Sequence, residues 1–290
     1  MKRICSLLLV LLFLFTLSIP AYAQTNQSRA VIAADLTEEQ IAQVYEAFGV
    51  TRGSVIELRV TNQEERQYLD GYVDPALIGT RSISSVYVEL LPGGSGMDVK
   101  TSNITWCSPE MYMSALATAG ITDAKIIVAA PFNVSGTAAL TGVYKAYEDM
   151  TGKKLDDLAK LISTQELSIT GDLASEIGSM DSTAIVNDLK LMLDETRKMS
   201  DQELRTTILN IAGEYNVKLS DKQVSQLISL CRQLEQLDPE MLRFNVEYVQ
   251  GTLNKLSGAK TEQTGWLGRA GVLIDSIGGF FNRIGRWLGL

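Results

Sequence analysis

The chain has 290 residues, with 26 basic and 34 acidic side chains, three cysteines and no histidine. Without histidine it can build neither a Ser-His-Asp triad nor a Cys-His dyad, and it has no imidazole to bind zinc or act as a base. Three cysteines are too few for a cysteine-rich metal site. The chemistries that remain are paired carboxylates, a serine-lysine dyad, an oxygen-ligated metal, or no catalysis.

Residues 1–23 have the pattern of an export signal. Lys2 and Arg3 precede an apolar run, and the small-residue site Ala21-Tyr22-Ala23 predicts cleavage before Gln24. The apolar run has about sixteen residues, which is short for a membrane span, so a retained N-terminal anchor is the less favoured alternative. The pattern therefore predicts an extracellular protein.

Removal of this segment leaves 24 basic against 34 acidic residues, a formal charge of −10. A negative body repels the phosphates of nucleic acid, so no nucleic-acid partner is expected. The same charge disfavours adsorption to an anionic membrane, so any membrane attachment must be local and mainly hydrophobic.

Residues 28–150 predict an α/β domain in the order β-α-β-α-β-β-α-β-α. Apolar and charged residues alternate over 56–60, as in a strand with one wet face, whereas 125–130 is a continuous apolar run typical of a central strand. Strands over 86–91 and 98–104 flank the turn sequence PGGSG and predict a hairpin. We expect one sheet with helices packed on it.

Helix caps accompany these strands. Thr37 predicts a helix that ends before Gly49, Thr61 or Asn62 begins a second, and Ser108 before a proline begins a third.

Residues 153–257 predict a bundle of four to six helices, because apolar residues there recur at spacings of three and four. Ser200 with Glu203 forms a capping box, and Asp238 precedes the last helix. The residues at these spacings are Leu155, Leu158, Leu161 and Ile162; Ile185, Leu189, Met192 and Thr196; Val224, Leu227, Ile228, Cys231 and Leu234; and Met241, Phe244, Tyr248 and Leu256.

Cys231 lies in one of these apolar sets, which indicates a buried core thiol. In an exported protein a disulfide to Cys107 is the open alternative.

Two stretches carry a resemblance to a known family. IGTRSISS (78–85) and TAGITDAKIIVAAPFNVSGTAALTG (118–142), behind a signal peptide and before a helical tail, resemble the YpuA-like secreted proteins of Gram-positive bacteria. These proteins form a domain-of-unknown-function family. The resemblance therefore implies an exported protein without an established activity, and it supplies no catalytic residues.

Within the second stretch, the loop after the strand at 125–130 invites a functional interpretation. It is not a phosphate-binding P-loop, because Val143 follows Gly142 where lysine is needed, and Ser135 lies in no nucleophile elbow. The favoured interpretation is packing: Ser135 or Thr137 caps a helix whose small first-turn residues approach the sheet.

The alternative is ligand binding at this helix N-terminus, at the carboxyl end of a central strand. Arg81, in a hydroxyl-rich run, would then supply a cation. The candidate ligand-binding residues are Arg81, Ser82, Asn133, Ser135, Gly136 and Thr137.

Consecutive carboxylates offer a weaker catalytic signal. Neighbouring residues splay apart on a helix, so pairs such as Glu64-Glu65 and Asp156-Asp157 are predicted to lie on solvated faces. No motif in the chain indicates a cofactor or a metal site.

After a linker at 258–264, residues 265–290 predict an amphipathic helix. Its apolar face is aromatic, and its three arginines outnumber its one aspartate. A helix docked on the bundle is the alternative to a helix in the membrane interface. The residues predicted to enter the interface are Trp266, Leu273, Ile277, Phe280, Phe281, Ile284 and Trp287.

The sequence therefore predicts an α+β protein: a mixed α/β sheet domain, a helical bundle and a C-terminal amphipathic helix. Its expected function is non-enzymatic: it binds a wall polymer or a protein partner, and its C-terminal helix attaches it peripherally to the outer face of the cytoplasmic membrane. The alternative is a histidine-independent hydrolase of an envelope polymer, with two carboxylates that the fold brings together.

Overall fold

A computed structural model describes residues 27–71, 73 and 75–256 of the chain. The predicted export signal, the linker at 258–264 and the predicted amphipathic helix at 265–290 lie outside the described residues. The strands are β1 (Ser28–Ala33), β2 (Ile56–Val60), β3 (Ser85–Leu90), β4 (Met97–Ile104) and β5 (Ala124–Val134). The helices are α1 (Glu38–Phe48), α2 (Asn62–Leu69), α3 (Pro75–Ile78), α4 (Pro109–Thr118), α5 (Thr137–Thr151), α6 (Asp157–Ile177), α7 (Ser179–Leu191), α8 (Leu193–Thr196), α9 (Asp201–Glu214), α10 (Asp221–Leu234) and α11 (Pro239–Leu256).

The five strands form one mixed sheet in the order β2-β1-β3-β5-β4. Strand β1 runs parallel to β2 and antiparallel to β3, while β5 runs antiparallel to β3 and parallel to β4. The predicted alternation of strands and helices is confirmed, with the short helix α3 in addition.

The predicted hairpin between β3 and β4 is wrong, because β5 lies between these two strands and pairs with both. The physical reason is the continuous apolar run of β5, which is buried best with a neighbour on each side. Helix α4 connects β4 to β5, as parallel strands require a crossover.

Local caps form as the sequence predicts in the first three long helices. Thr37 and Thr61 each cap with a capping box, and Ser108 caps α4 with a proline at the first helical position. Gly49 ends α1 in the left-handed conformation.

Helix α5 lies close against the sheet. A Cβ added at Gly142 would lie 2.9 Å from Cγ1 of Val86 on β3, so glycine permits this approach. Leu140, Val143 and Tyr144 lie on the buried face of this helix. The interpretation of this stretch as a packing helix is confirmed, but its predicted cap is wrong. The N-cap is Gly136, and neither Ser135 nor Thr137 caps the helix with its side chain.

Six helices, α6 to α11, follow the α/β domain and its last helix α5 within the described residues, in agreement with the predicted bundle. Ile185, Leu189, Val224 and Leu227 are buried in a second apolar core. Helix α6 is buried on most of its surface, including its polar residues, because it packs against both the sheet domain and the bundle.

Three details of the bundle differ from the apolar pattern. Leu158 is partly exposed, and Met241 and Phe244 on α11 are mostly exposed. Helix α11 instead buries Leu242, Val246 and Val249.

The thiols of Cys107 and Cys231 are both free and buried, and they lie in the sheet core and the bundle core respectively.

A buried polar cluster joins α4 to the bundle. Nζ of Lys190 lies 2.9 Å from Oε1 of Glu166 and 2.9 Å from Oγ of Ser114. Burial lowers the pKa of Lys190, against the opposing effect of Glu166. Both charged side chains are almost fully excluded from solvent, so this serine-lysine contact is part of the interior.

None of the helices in the part of the chain that the structure describes is both long and apolar enough to cross a bilayer.

Candidate functional site

A cleft of about 620 Å³ opens at the edge of the sheet where β4 and β5 end and β3 begins. Its size lies in the range of about 300–1,000 Å³ typical of small-ligand sites. The segments that line it are 76–81, 105–106 and 132–138, together with Glu65, Ile83 and Ser84. This is the position where ligands commonly bind in open α/β sheets, outside the carboxyl ends of the strands.

The backbone of the cleft is fixed by bonds between its walls. The amide of Cys107 donates to the carbonyl of Ser135, and the amide of Thr105 donates to Val134, so the chain after β4 follows the end of β5. The hydroxyl of Ser135 donates to the carbonyl of Leu77 at 2.8 Å. These bonds hold the three lining segments in one arrangement before any ligand is bound.

The loop before β3 is hydrogen-bonded to Asp35, which follows the end of β1. The guanidinium of Arg81 donates to the carbonyl of Asp35, and the amide of Ser82 donates to its carboxylate. Arg81 is exposed and lines the cleft, whereas Ser82 is fully buried and does not line it. Five of the six candidate residues therefore share the cleft: Arg81, Asn133, Ser135, Gly136 and Thr137.

Gly136 is required by the geometry of the cleft floor. Its φ is 101°, in the left-handed region, and an added Cβ would lie 2.5 Å from Cγ2 of Ile104. The hydroxyl of Tyr112 donates to the carbonyl of Gly136 at 2.6 Å. The turn from β5 into α5 is thereby locked, and it carries Ser135 and Thr137 with it.

Glu65 supplies a buried carboxyl group to the cleft. The hydroxyl of Thr137 donates to Oε1 of Glu65 at 2.5 Å, and the side-chain amide of Asn62 donates to Oε2 of Glu65 at 3.3 Å. Burial raises the pKa of Glu65 to about 7, although both hydrogen bonds and the nearby Arg66 lower it. Near neutral pH this carboxyl group is therefore divided between its protonated and ionised forms.

The Glu64-Glu65 pair does splay apart, but the prediction that both residues are solvated is wrong for Glu65, which is 1% exposed. Glu64 turns outward and accepts from Nζ of Lys145 at 2.5 Å. Leu69, one turn after Glu65, is also buried, so the pair Glu65 and Leu69 marks the inner face of α2. That spacing of four was the available signal.

Two aromatic residues complete the cleft, and the sequence pattern did not single out either. Phe132, near the end of β5, is 46% exposed. Trp106 is partly buried and lies over α6, where an added Cβ at Gly171 would be 2.3 Å from its ring. Both residues follow or end a strand at this edge, and that position is the signal that could have found them.

Within the described residues, no group of three or more acidic or cysteine side chains is arranged to hold a metal ion.

A family model described as "Protein of unknown function (DUF1002)" matches residues 32–254. The chain belongs to this family. It is 37% identical over 208 residues to the uncharacterized protein YpuA of Bacillus subtilis (strain 168), and that alignment covers 71% of each chain. No solved structure gave a significant match. The expected resemblance to YpuA-like proteins is confirmed, and the residues that the family model matches include every segment that lines the cleft.

Proposed function

We propose that the protein is an exported, non-enzymatic binding protein that holds a glycan of the cell wall in the cleft beside Glu65. The observation that carries the proposal is the lining of the cleft. It combines exposed aromatic surface at Phe132 with amide and hydroxyl groups at Asn133, Ser135 and Thr80. A sugar ring has apolar faces and a rim of hydroxyl groups, so it needs both kinds of surface.

Charge supports a carbohydrate rather than a large protein partner. Arg81 and Glu65 are the two charged side chains among the lining residues that the structure describes, and only Arg81 is exposed. A concave cleft of this size encloses a ligand of one or two sugar units, whereas a protein partner needs an interface of about 800 Å² on each side. A protein ligand is the outcome that the binding test below would expose.

The lining also bears on the hydrolase alternative. Glycoside hydrolysis by paired carboxylates needs two carboxyl groups on opposite sides of the bond. Glu65 carries the one carboxyl group among the described residues that line the cleft, and Thr137 and Asn62 occupy its oxygens. This arrangement favours binding over hydrolysis.

Binding is tested by co-sedimentation of the protein, from Gln24 onward, with purified wall sacculi. We expect Phe132→Ala to lower the affinity for sacculi about ten-fold or more, because removal of a central aromatic contact has effects of that size at other binding sites. Phe244→Ala is the matched control, because Phe244 is 64% exposed and lies on α11, away from the cleft. Equal binding by both variants and the unaltered protein, or no binding by any of them, contradicts the proposal.

Attachment to the membrane surface is a further part of the proposal, and it rests on the sequence pattern of residues 265–290. Burial of two tryptophans and two phenylalanines contributes several kcal/mol at about 25 cal/mol per Å² of apolar area. We expect liposomes to sediment the protein but not a version that ends at Thr264. Equal sedimentation of the two, or a loss of bundle stability on truncation, would assign this segment to the fold instead.

A further inference from the structure

A second, smaller cavity adjoins the cleft. It has a volume of about 390 Å³ and lies between the end of β4 and the helices α6 and α7. The two cavities share Thr105 and Trp106 in their walls, so a ligand that lies across Trp106 would contact both. This second cavity has no role in the function proposed above.

The two cavities differ in charge. The residues that line the smaller cavity include hydroxyl groups on Thr101, Ser108, Ser175 and Ser179, and none of its described lining residues is charged. Of the two charged side chains among the described residues that line the larger cleft, the guanidinium of Arg81 is exposed and the carboxyl group of Glu65 is buried. A neutral unit therefore suits the smaller cavity, and a unit with an anionic group suits the larger one.

Trp106 is positioned to separate the two cavities. Its ring lies against Gly171 on α6, where any Cβ would overlap the ring atoms. Its backbone is fixed on both sides, since the amides of Thr105 and Cys107 donate to Val134 and Ser135. An aromatic ring held in this way offers a fixed apolar surface to a chain that passes over it, and little side-chain entropy is lost on binding.

We propose that the two cavities form adjoining subsites for one linear glycan, in which a neutral sugar lies beside a carboxylate-bearing sugar and Trp106 contacts both. This inference rests on the proposed function of the cleft and extends it to a polymer class: a strand in which neutral sugars alternate with sugars that carry a carboxylate. A ligand that fills both cavities gains contacts without a second loss of translational freedom, so affinity rises with chain length.

The test compares the carboxylate-bearing monosaccharide with the neutral–acidic disaccharide of peptidoglycan glycan strands, both free of peptide so that the carboxylate is ionised, by calorimetric titration of the protein from Gln24 onward. We expect the disaccharide to bind at least about ten-fold more tightly, which equals about 1.4 kcal/mol. Ser175→Trp should remove that gain, because Ser175 is an exposed residue of α6 that lines the smaller cavity. The affinity for the monosaccharide should stay within about two-fold.

Ser225→Trp is the matched control, since Ser225 is also an exposed helical serine whose hydroxyl donates to a backbone carbonyl. Equal affinity for the two fragments, or a gain that persists in Ser175→Trp, overturns the two-subsite inference. If sacculi still bind through Phe132 in that case, the proposed function stands without it. If neither sacculi nor fragments bind, both proposals fail.

Discussion

Replacement of Glu65 by glutamine should remove the pH dependence of stability that this buried carboxyl group creates. Burial raises its pKa from 4.5 to about 7 in the folded protein. Between these two values the folded state holds a proton that the unfolded state releases. Stability conferred by this group is therefore present at low pH and is lost as pH rises through the window, the opposite of a salt-bridged carboxylate.

The magnitude follows from the size of the shift. One pKa unit corresponds to 1.36 kcal/mol, so ionisation of Glu65 in the folded state costs about 3 kcal/mol by pH 8. Glutamine has nearly the same shape and cannot ionise, and its amide oxygen can accept the hydrogen bond that Thr137 donates, with loss of the longer bond from Asn62. We expect Glu65→Gln to lie within about 1 kcal/mol of the unaltered protein near pH 4.5 and to be more stable by about 2–3 kcal/mol near pH 8.

The assay is urea denaturation at a series of pH values. Glu64→Gln is the control on the same helix. Partial burial raises the pKa of Glu64, but bonds from Lys145 and Thr61 lower it overall. Its stabilising contribution is therefore present at neutral pH and lost in acid, so Glu64→Gln should be less stable than the unaltered protein at pH 8. The difference in the free energy of unfolding between Glu65→Gln and the unaltered protein should grow from pH 4.5 to pH 8. A difference that stays constant over this range would refute the buried, protonated state of Glu65.

Three further predictions concern the interior, the cleft floor and export. Lys190→Met leaves the buried carboxylate of Glu166 without its cation and should lower the free energy of unfolding, measured with urea, by about 3–5 kcal/mol. Arg243→Met, which breaks the exposed pair with Glu247, should lower it by less than about 1 kcal/mol. Equal losses in the two variants would contradict the burial of Lys190. Gly136→Ala should destabilise by at least about 2 kcal/mol, while Gly213→Ala, at an open helical position, should stabilise slightly. N-terminal sequencing of the secreted protein should begin at Gln24, and an intact Met1 would refute the export signal.

Much of the fold follows from local chemistry that the sequence displays. Thr37, Ser108 and Ser200 cap helices because each precedes residues that complete the cap. The apolar run of β5 indicated a central strand, and the structure places that strand between two others. The pairing partners were less predictable: the turn between β3 and β4 indicates a hairpin locally, but the burial of β5 between them is a non-local gain.

The position of the candidate residues near Gly136 in a cleft was predictable, because in α/β sheets a cleft commonly lies where a central strand ends before a helix. Glu65 and Trp106 left only weaker signals, the spacing of four between Glu65 and Leu69 and the place of Trp106 after a strand, since their burial depends on contacts with residues distant in the chain. Glu65 is buried against Thr137, and Trp106 lies against Gly171. Sequence spacing gives the face of a helix but not the element that will cover it, so burial of a carboxylate has to be read from the fold.

The central claim, that the cleft binds a wall glycan, is tested most directly by nuclear magnetic resonance of the labelled protein during titration with soluble glycan fragments. The account predicts that the backbone amides whose signals shift will cluster at the lining segments 76–81, 105–106 and 132–138. Asn133 and Ser135 should be among the most affected, and Ser225 on α10 should be unchanged. Shifts that cluster elsewhere, or the absence of any shift at saturating fragment, would contradict the account.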